Sequence, residues 1–323
     1  MLFEKQIKGA FRARVHARAD DTGAVRYFAP EDFEGLTVTS YPFPAHEGHT
    51  LAGFFYSYGE PRIHGRVVIF DHGMGGGHRS YLREIEMLAR HGFLVFAYDH
   101  TGCMASEGEE TGGFLQSLSD LDAALTALKA DRELDGVRFS VVGHSWGGFA
   151  ALNIPALHRD LSHVVALAGF RSLEAIVRST FKGPLALYRR AILAMESASH
   201  KGLAEYDAAS SLCDTDAKVM IIHSEDDKTV PIREHFDVME RALSWRENIR
   251  FLRVTGRGHN PNYTEDAASY LAEFLGKLKE RMKTGGLADR EGHRAFLESF
   301  DWHRMTAQDE GVWNEVLKHL DAL

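Results

Sequence analysis

Cysteine is scarce. Only Cys103 and Cys213 occur in 323 residues, too few for a disulfide framework. No C-x-x-C or H-E-x-x-H pattern is present, so the eighteen histidines show no metal-ligand spacing. His46 and His49 share a polar loop and read as solvated surface side chains. Neither a metal nor a cofactor is expected. Long apolar runs are also missing. None approaches the ~18–20 residues that a spanning helix needs, and residues 1–8 lack the uninterrupted apolar stretch of a signal peptide. Positive charge is in deficit: the net charge is −9, with no basic stripe, which argues against nucleic acid as a partner. No 20–50-residue period repeats, which excludes a solenoid. These absences leave a soluble, cytoplasmic globular protein, with a small molecule as its expected partner and a homodimer left open.

What is present is ordinary in amount and specific in pattern. Apolar residues make up 44% and charged residues 26%, enough for one large α/β domain with an insertion or for two ordinary domains. Strand-like runs occur at 36–41, 51–58, 67–70, 93–98, 139–142, 164–168, 219–222 and 249–254. Most of the later ones are short and continuously apolar, as in buried parallel strands. Helical periodicity lies between them, at 81–90, 115–129, 232–243 and 265–282. Two early strands followed by alternating strands and helices predict an α/β fold. Its sheet is mostly parallel, of about eight strands, with helices on both faces. The connection from Phe170 to Ala217 is too long for an ordinary crossover. It is rich in helix formers (173–178 and 185–197) and reads as a helical cap inserted after the sixth strand. The expected division is an N-terminal arm (1–35), a core (36–170 and 218–283), the cap (171–217) and a helical C-terminal extension (284–323). The aromatics Phe296, Phe300, Trp302 and Trp313 make the extension a segment docked on the core.

Residues 143–147 read Gly-His-Ser-Trp-Gly between a β-branched run and a small-residue helical stretch. A serine held at the tip of a tight strand-to-helix turn needs glycines two residues away on either side, where a Cβ would clash. Ser145 is the candidate nucleophile. Such a serine needs a base, and the base needs an acid that fixes its tautomer. Downstream, the strand at 219–222 runs into His223-Ser224-Glu225-Asp226-Asp227-Lys228-Thr229-Val230-Pro231. The strand ending at Val254 runs into Thr255-Gly256-Arg257-Gly258-His259. Acid and histidine loops that follow parallel strands open on the same rim as the serine.

The chain resembles the α/β-hydrolase superfamily, particularly bacterial serine hydrolases related to serine aminopeptidases, dienelactone hydrolases and acyl esterases. The resemblance covers roughly 36–282. It rests on Asp71-His72-Gly73-Met74-Gly75-Gly76, Gly143-His144-Ser145-Trp146-Gly147, Asp227-Lys228-Thr229-Val230-Pro231 and Gly258-His259. It implies Ser145 as nucleophile, His259 as base and Asp227 as acid, from the family's D-x-x-V-P pattern, with Asp226 and Glu225 as bystanders that bind solvent or the turn. It also implies an oxyanion hole built from the backbone N–H groups of Met74 and Trp146. The crowded glycines at 73–77 are not a phosphate cradle, because no Lys-Ser/Thr follows and the G-x-G-x-x-G spacing is absent. One departure stands out: Met104 occupies a position where many relatives carry glycine in D-x-x-G-x-G-x-S. The neighbouring Cys103 lacks an elbow and a base, and reads as a small buried thiol. The expected activity is cleavage of carboxylic esters. A peptidase or amidase, an acyl thioesterase, and a non-catalytic ligand-binding scaffold are the alternatives. The arginines of the cap (Arg171, Arg178, Arg189, Arg190) do not by themselves identify a substrate.

Overall fold

The computed structural model describes residues 3–60, 65–200 and 202–322. Its strands are β1 (Leu36–Ser40), β2 (Phe43–Pro44), β3 (Thr50–Leu51), β4 (Gly53–Tyr58), β5 (Arg66–Asp71), β6 (Leu94–Tyr98), β7 (Arg138–His144), β8 (His163–Leu167), β9 (Lys218–Ser224) and β10 (Ile249–Val254). The short β2 and β3 pair only with each other. The other eight form one sheet in the order β1-β4-β6-β5-β7-β8-β9-β10. The β1–β4 and β4–β6 pairs are antiparallel and every later pair is parallel. The expected mostly parallel sheet of about eight strands is therefore what the chain forms.

Apart from the edge strand β10, the parallel strands are buried along nearly their whole length because both faces are covered. In β5, Val67 and Ile69 enter one apolar cluster while Val68 and Phe70 enter the other, as the two-residue strand period requires. One face is covered by α1 (Glu4–Val15), α3 (Gln116–Ala130), α4 (Trp146–Asn153) and α8 (Phe236–Leu243). The opposite face is covered by α2 (Leu82–His91), α9 (Glu265–Lys283), and a C-terminal set of α10 (Arg290–Glu298), α11 (Trp302–Met305) and α12 (Glu310–Asp321). Trp302, Trp313, Val316 and Leu320 bring that set into the core. The far end of α12 reaches the starts of three strands: Arg66 donates to the Leu320 carbonyl at 2.7 Å, His163 to the Ala322 carbonyl at 2.8 Å and His319 to the Lys218 carbonyl at 3.1 Å.

Between β8 and β9 lie α5 (Leu173–Thr180), α6 (Arg189–Ser199) and the short α7 (Ala208–Ser211). The helix predicted over 185–197 instead begins at Arg189. Gly183 at φ 57° and Pro184 set a 3-10 turn over 183–188, none of whose side chains is buried, so no packing draws those residues into a regular helix. The helix predicted over 232–243 is likewise broken at the buried His235 (φ −124°, ψ −79°). α1 from the N-terminal arm meets α6 through His16, whose Nε2 lies 2.5 Å from Glu196 Oε1, with both side chains buried. Among the described residues, no helix is long and apolar enough to cross a membrane.

Candidate active site

Ser145 sits between β7 and α4 with φ 55° and ψ −105°, a strained backbone for a residue with a Cβ. Neighbouring hydrogen bonds hold it there: the Ser145 N–H donates to the Leu167 carbonyl at 2.8 Å, and the Ser145 carbonyl accepts from Phe149 N–H at 2.9 Å. The flanking glycines are sterically required. A Cβ on Gly143 would collide with the Gly147 carbonyl, and one on Gly147 would collide with the Asp71 carbonyl.

Three side chains from three loops converge at this turn. The Ser145 Oγ lies 2.8 Å from His259 Nε2, and His259 Nδ1 lies 2.8 Å from Asp227 Oδ2. The other oxygen of Asp227 accepts from the N–H groups of Thr229 at 2.8 Å and Val230 at 3.0 Å. Burial pulls this carboxyl upward, but hydrogen bonds from His223 and His259 outweigh it. The group is held well below the usual carboxylate range and stays ionised. Asp226 does separate work. It accepts from the Ser224 hydroxyl at 2.5 Å and from the Gly258 N–H at 3.2 Å, clamping the histidine loop one residue before His259.

The structure adds residues that sequence reasoning missed. His144, inside the pentapeptide, is buried; its Nδ1 accepts from the Tyr81 hydroxyl at 2.9 Å and its Nε2 donates to the His259 carbonyl at 2.8 Å. Burial, then the nearby His259, push His144 down to about 3, so the ring stays neutral in one tautomer. The Tyr81 hydroxyl also fills the space where Gly73 would carry a Cβ. One tyrosine–histidine pair thereby ties together the loop after β5, the serine turn and the histidine loop. The only local hint was a histidine placed beside the serine.

Beneath the turn lies a fully buried chain of Asp71, His100 and Asp120. His100 Nε2 is 2.5 Å from Asp71 Oδ1, and His100 Nδ1 is 3.1 Å from Asp120 Oδ2. Burial opposes charge on His100, but the two carboxylates prevail and push it up to about 10. Asp120 further accepts from the Thr101 N–H, the Thr101 hydroxyl and Gln116. This network fixes the ends of β5 and β6 against each other.

Met74 follows β5 and Trp146 opens α4. Among the described residues no backbone hydrogen bond runs from the N–H of either, whereas the next amide, Gly147, is taken up by the His72 carbonyl at 3.1 Å. A free N–H in the first turn of a helix is the usual condition for meeting an anion. The Trp146 indole N–H donates to the Phe114 carbonyl at 2.8 Å. Met104, the departure noted above, takes φ 42° itself, supplying without glycine a left-handed turn that costs roughly 1–2 kcal/mol. The N-terminal arm holds it: Arg18 donates to the carbonyls of Met104 at 2.8 Å, Ser106 at 3.0 Å and Gly108 at 2.6 Å. Cys103 is fully buried, and burial pushes its thiol up, so it holds no thiolate with which to attack.

This fold is shared with known proteins. The family model described as serine aminopeptidase, S33, matches residues 62–202. An esterase of Pyrococcus furiosus superposes with a TM-score of 0.57 at 20% identity, covering 82% of this chain and 95% of that one. The chain has the α/β-hydrolase fold. An acetyl xylan esterase from a Paenibacillus species gives a TM-score of 0.55 at 19% identity, covering 80% of this chain and 88% of that one. A curated sequence of Acinetobacter baylyi, named "Putative carbamate hydrolase RutD", is 33% identical over 108 residues. That match spans 38% of the relative's length and 33% of this chain. Among the described residues, no group of three or more His, Cys, Asp or Glu side chains is arranged to hold a metal ion.

Proposed function

We propose that the protein is a serine hydrolase that cleaves carboxylic esters through an acyl-enzyme. The single observation that carries this reading is the unbroken hydrogen-bond chain from Ser145 through His259 to Asp227, with 2.8 Å at each link. His259 takes the hydroxyl proton as Ser145 attacks the ester carbonyl, and the N–H groups of Met74 and Trp146 receive the developing oxyanion. Asp227, kept ionised, stabilises the imidazolium that forms. Collapse of the tetrahedral intermediate breaks the bond to the alkoxy leaving group, which takes its proton from His259. Water then attacks the acyl-serine with His259 as base, releasing the carboxylic acid and restoring the serine. The helical segment between β8 and β9 is read as the cap that selects the acyl group.

The esterases among the structural relatives support an ester substrate. The aminopeptidase description of the family model favours a second reading, amide cleavage by the same residues. A fluorophosphonate probe with peptide mapping tests the shared premise: Ser145 is labelled in the wild type and nothing is labelled in Ser145→Ala. Labelling elsewhere, or none in folded protein, sinks both readings. Rates on p-nitrophenyl esters, aminoacyl anilides and acyl thioesters then separate ester, amide and thioester cleavage.

A further inference from the structure

The loop that carries His259 is loose by composition. Gly256 and Gly258 adopt φ 71° and 57°, and glycines are costly to hold in one conformation. Its outer side, however, is stitched to a segment nearly fifty residues further along the chain. The Thr264 N–H donates to the Ala307 carbonyl at 3.0 Å, the Asp309 N–H donates to the Asn262 carbonyl at 2.8 Å, and Tyr263 and Gln308 form an antiparallel bridge. Arg257 pairs with Asp309 at 2.7 Å.

Gln308 is the node of this contact, and all four of its side-chain hydrogen bonds are made. Its oxygen accepts from Asn262 at 2.8 Å and from the Trp313 indole at 2.7 Å. Its nitrogen donates to Glu84 at 3.1 Å and to the Thr306 carbonyl at 3.0 Å. Trp313 is only 1% exposed and lies in the core with Val316 and Leu320. A rigid path therefore runs from the hydrophobic core through α12 to Gln308 and Asn262, three residues past His259.

We propose that the C-terminal extension is a strap that aims the general base, with Gln308 and Asp309 as positioning residues for His259. This rests on the hydrolase reading above. Proton transfer needs His259 within hydrogen-bond reach of the Ser145 hydroxyl, and a displacement of about an ångström costs on the order of 10²-fold in rate. Asp226 fixes one side of the loop; the strap fixes the other.

The test uses the full chain, p-nitrophenyl acetate, and amide hydrogen exchange read on peptides covering 256–264. In Gln308→Ala we expect kcat to fall roughly 10- to 100-fold with KM within about twofold, and exchange in 256–264 to quicken at least about tenfold. Asp309→Asn keeps a side-chain oxygen that can cap α12 but loses the charge facing Arg257. It should show a smaller loss of the same kind, and it serves if Gln308→Ala does not fold. Glu315→Gln, on the same helix but paired with Arg250 on the surface, should match the wild type in both readouts. Unchanged kcat and unchanged exchange in the folded variants, or equal losses in Glu315→Gln, would overturn the strap. If the wild type neither hydrolyses the ester nor labels at Ser145, the hydrolase reading fails instead. The exchange arm then decides the strap alone, and unchanged exchange refutes it.

Discussion

Glu84 provides a prediction that needs no substrate. Its side chain is 1% exposed, on α2 beneath the histidine loop. One oxygen accepts from Asn262 and Gln308 at 3.1 Å each, and among the described residues the other has no partner. The nearby Asn262 side-chain oxygen is also unpartnered. Burial lifts this carboxyl from 4.5 to about 7. At 1.36 kcal/mol per pKa unit, the folded protein at pH 8 bears about 3 kcal/mol for ionising Glu84 in place. The sign follows from linkage. Below about pH 4.5 the group is neutral in folded and unfolded chains alike. Between there and about pH 7 only the folded state keeps the proton, so Glu84's share of stability falls as pH rises, and above that the loss is complete. Glu84→Gln preserves the accepting oxygen and supplies an amide where the unpartnered oxygen stood, with the Asn262 oxygen available to accept from it. Urea unfolding of wild type and variant should nearly coincide at pH 4.5, and the variant should be more stable by about 3 kcal/mol at pH 8. A difference that is independent of pH, or a variant less stable at pH 8, would refute the argument.

Three further outcomes follow from single contacts. Asp227→Asn presents an amide to His259 Nδ1 and favours the wrong tautomer, so ester hydrolysis should drop by about 10⁴ in kcat with the fold intact; a loss under tenfold removes Asp227 from its role. His144→Phe deletes the bonds to Tyr81 and to the His259 carbonyl, and should lower kcat about 10- to 100-fold with little change in KM; unaltered steady-state kinetics would show that the tyrosine–histidine pair does not align the site. Glu196→Ala strands the buried His16 ring and the Phe114 N–H, which now share that carboxylate at 2.5 and 2.7 Å, and should cost about 3 kcal/mol, measured as a shift in the urea midpoint; stability within ~0.5 kcal/mol of wild type would show that α1 is not anchored there.

What could be read from the residues in order is what local physics governs. The strands were legible because burial on both faces demands unbroken apolar runs such as Val67–Phe70, and the serine turn because Gly143 answers a clash with Gly147 four residues on. The serine, acid and histidine loops each follow a parallel strand, so their common rim came from topology alone. Asp227 was separable from Asp226 only through a family pattern. Both carboxylates make hydrogen bonds, and which of them faces His259 depends on the turn at Thr229 and Val230. The start of α6 at Arg189 was missed because periodicity at 185–197 is helical, while none of the side chains at 183–188 is buried.

The sequence by itself determined the sheet, the serine turn and the kind of chemistry they imply, because strand period, glycine spacing and loop order act over short range. Tertiary structure alone decided that His144 bonds to Tyr81 and to the His259 carbonyl, that His100 stands between Asp71 and Asp120, that Arg18 holds the Met104 turn, and that Gln308 reaches Asn262. Those contacts join residues up to more than a hundred positions apart, and each hydrogen bond needs placement within a few tenths of an ångström. No local pattern encodes such distances. The packed core, by fixing both ends of each pair, does.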